Sequence, residues 1–267
     1  MITGIVSLQL MQFFMNVGSV SGTFGTMKKI AQIMDTDSEP DGGEPVPEVC
    51  ADIEFDNVSF TYAGGQDVIK NLSVKIPMGK VTAVIGGNGA GKSTLFKLLL
   101  RLYEPKSGEI RFGGDGIGKY SLTDWRDRFA VVSQRNPLIG STVRENIAYG
   151  LDREVSDEEL AETARRANFS GGQGQCISIA RAMLRNADYL LLDEATSNLD
   201  VVSDAEVTGA MDELMRDKTT IMIAHNYAAT RNADYIIVMK DGAVEAAGTP
   251  DELLKTNEYY RIFVKTL

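Results

Sequence analysis

Gly86-Gly87-Asn88-Gly89-Ala90-Gly91-Lys92-Ser93 follows the apolar run Val81 to Ile85 and precedes the helix-forming stretch Thr94 to Leu100. The spacing G-x-x-x-x-G-K-S lets backbone N–H groups wrap a phosphate chain at conformations a Cβ would obstruct. A helix beginning at the loop adds its partial positive charge to the same place. Lys92 is expected to reach the outer phosphates and the Ser93 hydroxyl to ligate Mg²⁺. A glycine turn between strand and helix would need neither residue. Such a site also needs a carboxylate at the end of a second strand to hold the metal. Tyr189-Leu190-Leu191-Leu192 runs into Asp193-Glu194 and supplies it. Asp193 would fix the metal shell, and Glu194, one residue further out, would polarise an attacking water. An isolated Asp-Glu would be read as a solvated pair ending a strand; coupled to the phosphate loop, it is read as a site.

These residues must be positioned by a chain of 267 residues, 43% hydrophobic and 24% charged, which is enough for one large core or a core with a smaller appendage. Disorder as the main state is excluded. With 27 basic and 37 acidic side chains the formal charge is −10, so a generic phosphate-backbone binder is disfavoured and no nucleic-acid partner is expected. Cys50, Cys176 and the single histidine, His225, cannot build a zinc finger or a disulfide scaffold. Beyond the loop, Ile53 and Phe55, then Phe60 and Tyr62, then Leu72, Val74 and Ile76 alternate with polar residues as short half-buried antiparallel strands do.

Met1 to Met27 carries no charged side chain, and Lys28 and Lys29 follow at once. The stretch has transmembrane length, although Gln9, Gln12 and Asn16 also allow a buried or partner-facing amphipathic helix. Cations after the apolar region rather than before it argue against a signal peptide. Residues 35–48, DTDSEPDGGEPVPE, combine Pro, Gly and acidic residues and read as a solvated linker.

Phe169-Ser170-Gly171-Gly172-Gln173 upstream of Asp193-Glu194 resembles the LSGGQ signature of ABC transporter nucleotide-binding domains, with Phe in place of Leu. Tyr62 resembles the adenine-stacking A-loop, Gln134 in VVSQ the Q-loop, Ser197-Asn198-Leu199-Asp200 the D-loop, and His225 in MIAH the H-loop. The resemblance implies an α/β fold: a P-loop NTPase core, mainly a parallel sheet flanked by helices, with an antiparallel β-subdomain and a shortened helical subdomain at about 135–180. It implies ATP and Mg²⁺ as cofactors. Tyr62, Gly86, Gly87, Asn88, Gly89, Ala90, Gly91, Lys92, Ser93 and Thr94 would bind the nucleotide. Ser93, Gln134 and Asp193 would organise the metal, and Glu194, His225 and Gln134 would serve catalysis. Ser170, Gly171, Gly172, Gln173 and Asp200 would act in trans, on ATP bound by a second nucleotide-binding domain, identical or different.

The apolar stretch followed by an acidic linker, and Thr142-Val143-Arg144-Glu145-Asn146-Ile147 with its capping-box spacing, resemble the exporter branch of the family. On this reading 1–34 is the end of the last transmembrane or coupling helix, 35–48 the linker and 49–267 the ATPase domain. A membrane domain handling a small molecule, lipid or peptide would be the partner, and the location the cytoplasmic face of the inner membrane. Rival readings are a non-transport ATPase of the same superfamily and an ATP-binding module that does not turn over. The sequence departs from the family in three places. Asn168 runs straight into Phe169 where a further helix and loop are usual, Gly174 stands where Arg is usual, and Asn226 follows His225 where Arg is common.

Overall fold

The computed structural model describes residues 11–12, 24–32, 34–35, 39, 42–133, 138–139, 142–168, 174–193 and 203–265. The chain divides into two units, Met1–Asp41 and Gly42–Leu267. In the first, helix α1 (24–32) leaves Phe24, Met27 and Ile30 exposed, spaced three apart along one face. Most of the transmembrane-length stretch lies outside the described residues. Among the described residues, no helix is long and apolar enough to cross a membrane.

The second unit contains two sheets. β1 (Ile53–Thr61), β2 (Asp67–Ile76), β4 (Ser107–Phe112) and β5 (Asp115–Gly116) form an antiparallel sheet in the order β2-β1-β4-β5. The other sheet has the order β10-β9-β3-β8-β7-β6. Here β3 (Val81–Gly86), β6 (Phe129–Ser133), β7 (Tyr189–Asp193), β8 (Thr219–Ile223) and β9 (Tyr235–Lys240) run parallel, and β10 (Ala243–Gly248) closes one edge antiparallel to β9. The helices are α2 (Lys92–Leu99), α3 (Leu122–Asp127), α4 (Val143–Ile147), α5 (Asp157–Arg166), α6 (Gly174–Arg185), α7 (Ser203–Met215), α8 (Pro250–Thr256) and α9 (Glu258–Lys265).

Both faces of the parallel sheet are buried, which is why its strands read as continuous apolar runs. Leu190, Leu192, Ala83, Ile85, Ala130 and Val132 enter one core with α6 and α7. Tyr189, Leu191, Val84, Ile221 and Ile223 enter the other, shared with α2 and the antiparallel sheet. The helix starts follow their caps. Thr142 and Glu145 form a reciprocal capping box at α4, and Thr249 and Glu252, with Pro250 between them, form another at α8. Ser156 caps α5. The β9–β10 turn uses Asp241 and Gly242, both at positive φ, as a tight hairpin of matching twist requires.

Two expectations are corrected. Ile53, Phe55 and Phe60 belong to one strand, not two. Asn57 takes φ 49° and the pairing register shifts on both sides of Val58, so the strand bulges and buries Phe55 and Val58 although they are three apart. The end of the acidic segment 35–48 is also docked through its backbone, although its side chains other than Val46 stay exposed. The Glu44 amide donates to the Lys119 carbonyl at 2.8 Å, the Ser121 amide to the Glu44 carbonyl at 2.8 Å, and Val46 packs on the second core.

Two anchors fix the strands and helix that matter for the site. The carbonyls at the end of α2 are taken by α3: Trp125 Nε1 donates to Leu99 O at 2.7 Å, Arg126 Nε to Leu100 O at 3.0 Å and its Nη2 to Arg101 O at 3.0 Å. The guanidinium thus satisfies two carbonyls at the negative end of the helix dipole. Tyr189, the first residue of β7, accepts from the Ala51 amide at 2.8 Å and donates to the Ala51 carbonyl at 2.6 Å, pinning the lead-in to β1.

Burial pushes the Tyr189 phenol up to about 12 from 10.0. The folded chain therefore keeps a proton that the unfolded chain releases. The associated stability is full below about pH 10 and is lost as the pH rises towards 12. Urea unfolding at increasing alkaline pH is expected to show the wild type losing stability across this window relative to Tyr189→Phe; parallel profiles would contradict the assignment.

Candidate phosphate and nucleotide site

β3 ends at Gly86 and α2 begins at Lys92, so the loop 87–91 turns the chain from strand to helix at one edge of the parallel sheet. Gly91 is the N-cap of α2, at φ 99°, and brings no side chain to cap the first turn. The first-turn amides are left to a ligand carrying acceptors. Lys92 is only 6% exposed, and its Nζ donates to Gly86 O at 2.8 Å and Gly87 O at 3.0 Å. A buried ammonium requires such partners. They hold this one over the mouth of the loop rather than extended into solvent. Ser93 is exposed at the first turn, and Thr94, one residue on, is buried.

The four loop glycines are not equivalent. A Cβ at Gly86 would lie 2.3 Å from Met239 O, and one at Gly91 would lie 2.6 Å from Ile69 Cδ1 and 3.2 Å from Val68 O, both at positive φ. Gly89 needs only its φ of 79°, and Gly87 has a negative-φ backbone with open space around it. Gly87, one of the variable positions of G-x-x-x-x-G-K-S, is left by the fold with room for a side chain.

The second half of the site is set by register. Val84 pairs with Ile223, Ile223 with Asp193, and Asp193 with Ser133. His225 stands two residues past Ile223, as Gly86 stands two past Val84. It is exposed and lines one cleft, of about 230 Å³, together with Val68 and residues Asn88 to Thr94. Asp193 is half-buried at the end of β7, two strands from β3. Ligands of parallel α/β sheets collect at this carboxyl edge. His225 also borders a second cavity, of about 160 Å³, lined with Asn226 and by Tyr259, Ile262 and Phe263 of α9.

Tyr62 is half-buried, one residue past β1. Its ring meets Phe60 and Tyr103 edge-on at 4.8 Å and 5.2 Å between centroids. Its hydroxyl lies 3.1 Å from Thr94 Oγ1 and receives a 3.3 Å bond from Lys97 Nζ. The aromatic group is thereby tied to the first turns of α2. Gln134, Ser170, Gly171, Gly172, Gln173, Glu194 and Asp200 lie outside the described residues. Gln134 and Glu194 directly follow Ser133 and Asp193, the two strand ends paired in register. Val68, Tyr103 and the Trp125–Arg126 clamp escaped the sequence reading, because their roles depend on contacts distant in sequence. Among the described residues no three acidic, histidine or cysteine side chains gather as a metal cage. A metal here would be held by few protein ligands, such as Ser93 and Asp193, together with the phosphates themselves.

Residues 69–197 match the family described as ABC transporter. The chain is 39% identical over 253 residues to the ATP-dependent lipid A-core flippases of Escherichia coli (strain K12) and Shigella boydii serotype 4, and over 252 residues to that of Salmonella paratyphi A. Each alignment covers 85% of this chain and 43% of the relative, so the chain spans less than half the length of these proteins. About 227 residues, 85% of 267, align over 253 positions, which leaves roughly 26 positions of the relative without a counterpart. In three dimensions the chain is similar to a bacterial Atm1-family ABC exporter solved with ATP bound. The TM-score is 0.79 at 29% identity, covering 89% of this chain and 46% of the other.

Thermal unfolding of two alanine variants tests the loop geometry. Gly91→Ala is expected to cost more than about 1 kcal/mol, from its positive φ and its contact with Ile69. Gly87→Ala is expected to stay within about 0.5 kcal/mol of wild type. Equal losses at both positions would contradict the inequivalence.

Proposed function

The chain belongs to the ABC transporter family, and on that premise we propose that it binds and hydrolyses ATP with Mg²⁺ as the motor domain of an exporter. The observation that carries this reading is the buried Lys92 ammonium, fixed on the Gly86 and Gly87 carbonyls at the start of a helix whose first turn has no side-chain cap. A loop so built selects a ligand with several anionic oxygens, and a triphosphate has them in the required chain.

In this reading each residue has a task set by its chemistry. Lys92 and the loop amides bind the phosphates, Ser93 and Asp193 hold Mg²⁺ with Gln134, and Tyr62 offers a ring for the base to stack on. Bound Mg²⁺ would neutralise charge building up between the outer phosphates. Glu194 accepts the proton of the attacking water, and the His225 imidazole donates to the γ-phosphate. Ser170, Gly171, Gly172, Gln173 and Asp200 reach the nucleotide of a second domain, so two chains close head to tail on two nucleotides. The partner that converts closure into export is a membrane domain, and the motor works at the cytoplasmic face of the membrane. What is moved, whether small molecule, lipid or peptide, is that domain's property.

A second reading is favoured by the roughly 26 relative positions that lack a counterpart here: a module that binds ATP without turning over. Two variants separate the readings. Lys92→Ala is expected to abolish ATP binding or to reduce phosphate release at least 100-fold; unchanged turnover would refute the site. Glu194→Gln is expected to keep ATP binding and to double its solution mass when ATP and Mg²⁺ are added. A persistent monomer that binds ATP, alongside a wild type with no phosphate release, would favour the second reading.

A further inference from the structure

Two glycines far apart in sequence close on one carbonyl group of β2, that of Val68. A Cβ at Gly242, in the turn between β9 and β10, would lie 2.3 Å from Val68 O, 3.0 Å from its carbon and 3.5 Å from Ile69 Cα. A Cβ at Gly91, at the end of the phosphate loop, would lie 3.2 Å from the same oxygen. The Lys70 amide donates to Gly242 O at 2.8 Å, so β2 is also bonded to the turn beside that contact. Glycine in such a place marks the close approach of another backbone.

The turn is itself referenced to the phosphate loop. Met239, three residues before Gly242, pairs with Gly86 at the end of the ladder that joins β9 to β3. On its other side β2 leads to the aromatic platform. Phe60 pairs with Ile69 and Thr61 with Asp67, and Tyr62 follows at once in the same hairpin. The Tyr62 hydroxyl closes the circuit, 3.1 Å from Thr94 Oγ1 in the first turn of α2. The path thus runs from Gly86 through Met239, Gly242, Val68 and Tyr62 back to Thr94.

We propose that Gly242 is a positioning residue that sets, with the Tyr62–Thr94 bond, the span between the Tyr62 ring and the phosphate loop. The inference rests on the reading of Tyr62 as base platform and of Gly86 to Ser93 as phosphate site given above. A nucleotide engages both ends at once, and the gain from joining two contacts in one ligand is lost when their spacing no longer matches. Phosphates without a base touch one end and do not sense the span. A side chain at Gly242 forces Val68 back by about 1 Å to regain van der Waals distance. The ladder with β3 holds β9, so β2 and its hairpin yield.

The test is isothermal titration of the full chain with ATP and with inorganic tripolyphosphate, each with Mg²⁺. Gly242→Asn is the informative variant, because asparagine tolerates the positive φ of 85° while its Cβ makes the contact with Val68. It is expected to weaken ATP binding at least fivefold and to leave tripolyphosphate within about twofold of wild type. Tyr62→Phe keeps the ring, removes the bond to Thr94 without backbone strain, and is expected to show the same split. Gly79→Asn, at φ 66° with open space around it, should leave both ligands within about twofold. Equal losses for ATP and tripolyphosphate, or unchanged ATP affinity, in either Gly242→Asn or Tyr62→Phe would overturn the inference. A wild type that binds neither ligand refutes the phosphate-site reading and the inference with it.

Discussion

The candidate site depends on the parallel register that places Val84, Ile223, Asp193 and Ser133 in one row across four strands. Adjacent strands lie about 4.8 Å apart, so this row fixes the spacing between phosphate loop and carboxylate to within the tolerance of a hydrogen-bond ladder. A slip of one residue would send every side chain of a strand to the opposite face. Both faces are packed, with Leu190 and Leu192 on one side and Tyr189 and Leu191 on the other, so no strand can slip without exchanging one filled core for another. Chemistry at the sheet edge is thus held in place by apolar packing in the middle of the sheet.

Around this row the molecule spends charge sparingly and locally. Its net charge of −10 opposes anion binding at long range, yet the phosphate loop places one buried ammonium and a helix start together. The low-dielectric surroundings of Lys92 make that single cation count for more than a solvated one would. The far end of the same helix is closed by the Arg126 guanidinium on the Leu100 and Arg101 carbonyls, a cation at the negative end of the dipole.

What could be read from the sequence was what is contiguous in it. The strand, glycine loop and helix at 81–100 and the cap at Thr142 each carry their signal within a few residues. The bulge in β1 was hidden because it breaks the alternation that identifies a strand. The docking of Glu44 was hidden because its partners are backbone groups, and any residue supplies those. The same holds for Arg126, Arg181 and Arg185, which donate to carbonyls 25 to 59 residues away. No pattern in the recipient side chains marks such a contact in advance. Among the loop glycines, only the space and φ at each position tell which could carry a side chain, and Gly87 is one that could.

Trp125, the single tryptophan of the chain, rests its indole N–H on the last carbonyl of α2 and is fully buried between Phe112, Tyr120 and Phe129. Its ring therefore sits at the opposite end of the helix from the phosphate loop. Excited beyond tyrosine absorption, the intrinsic emission of the unlabelled protein thus comes from one known position. Its wavelength and quenching report whether strain at the loop travels the length of α2, giving this fold an internal optical gauge of its own.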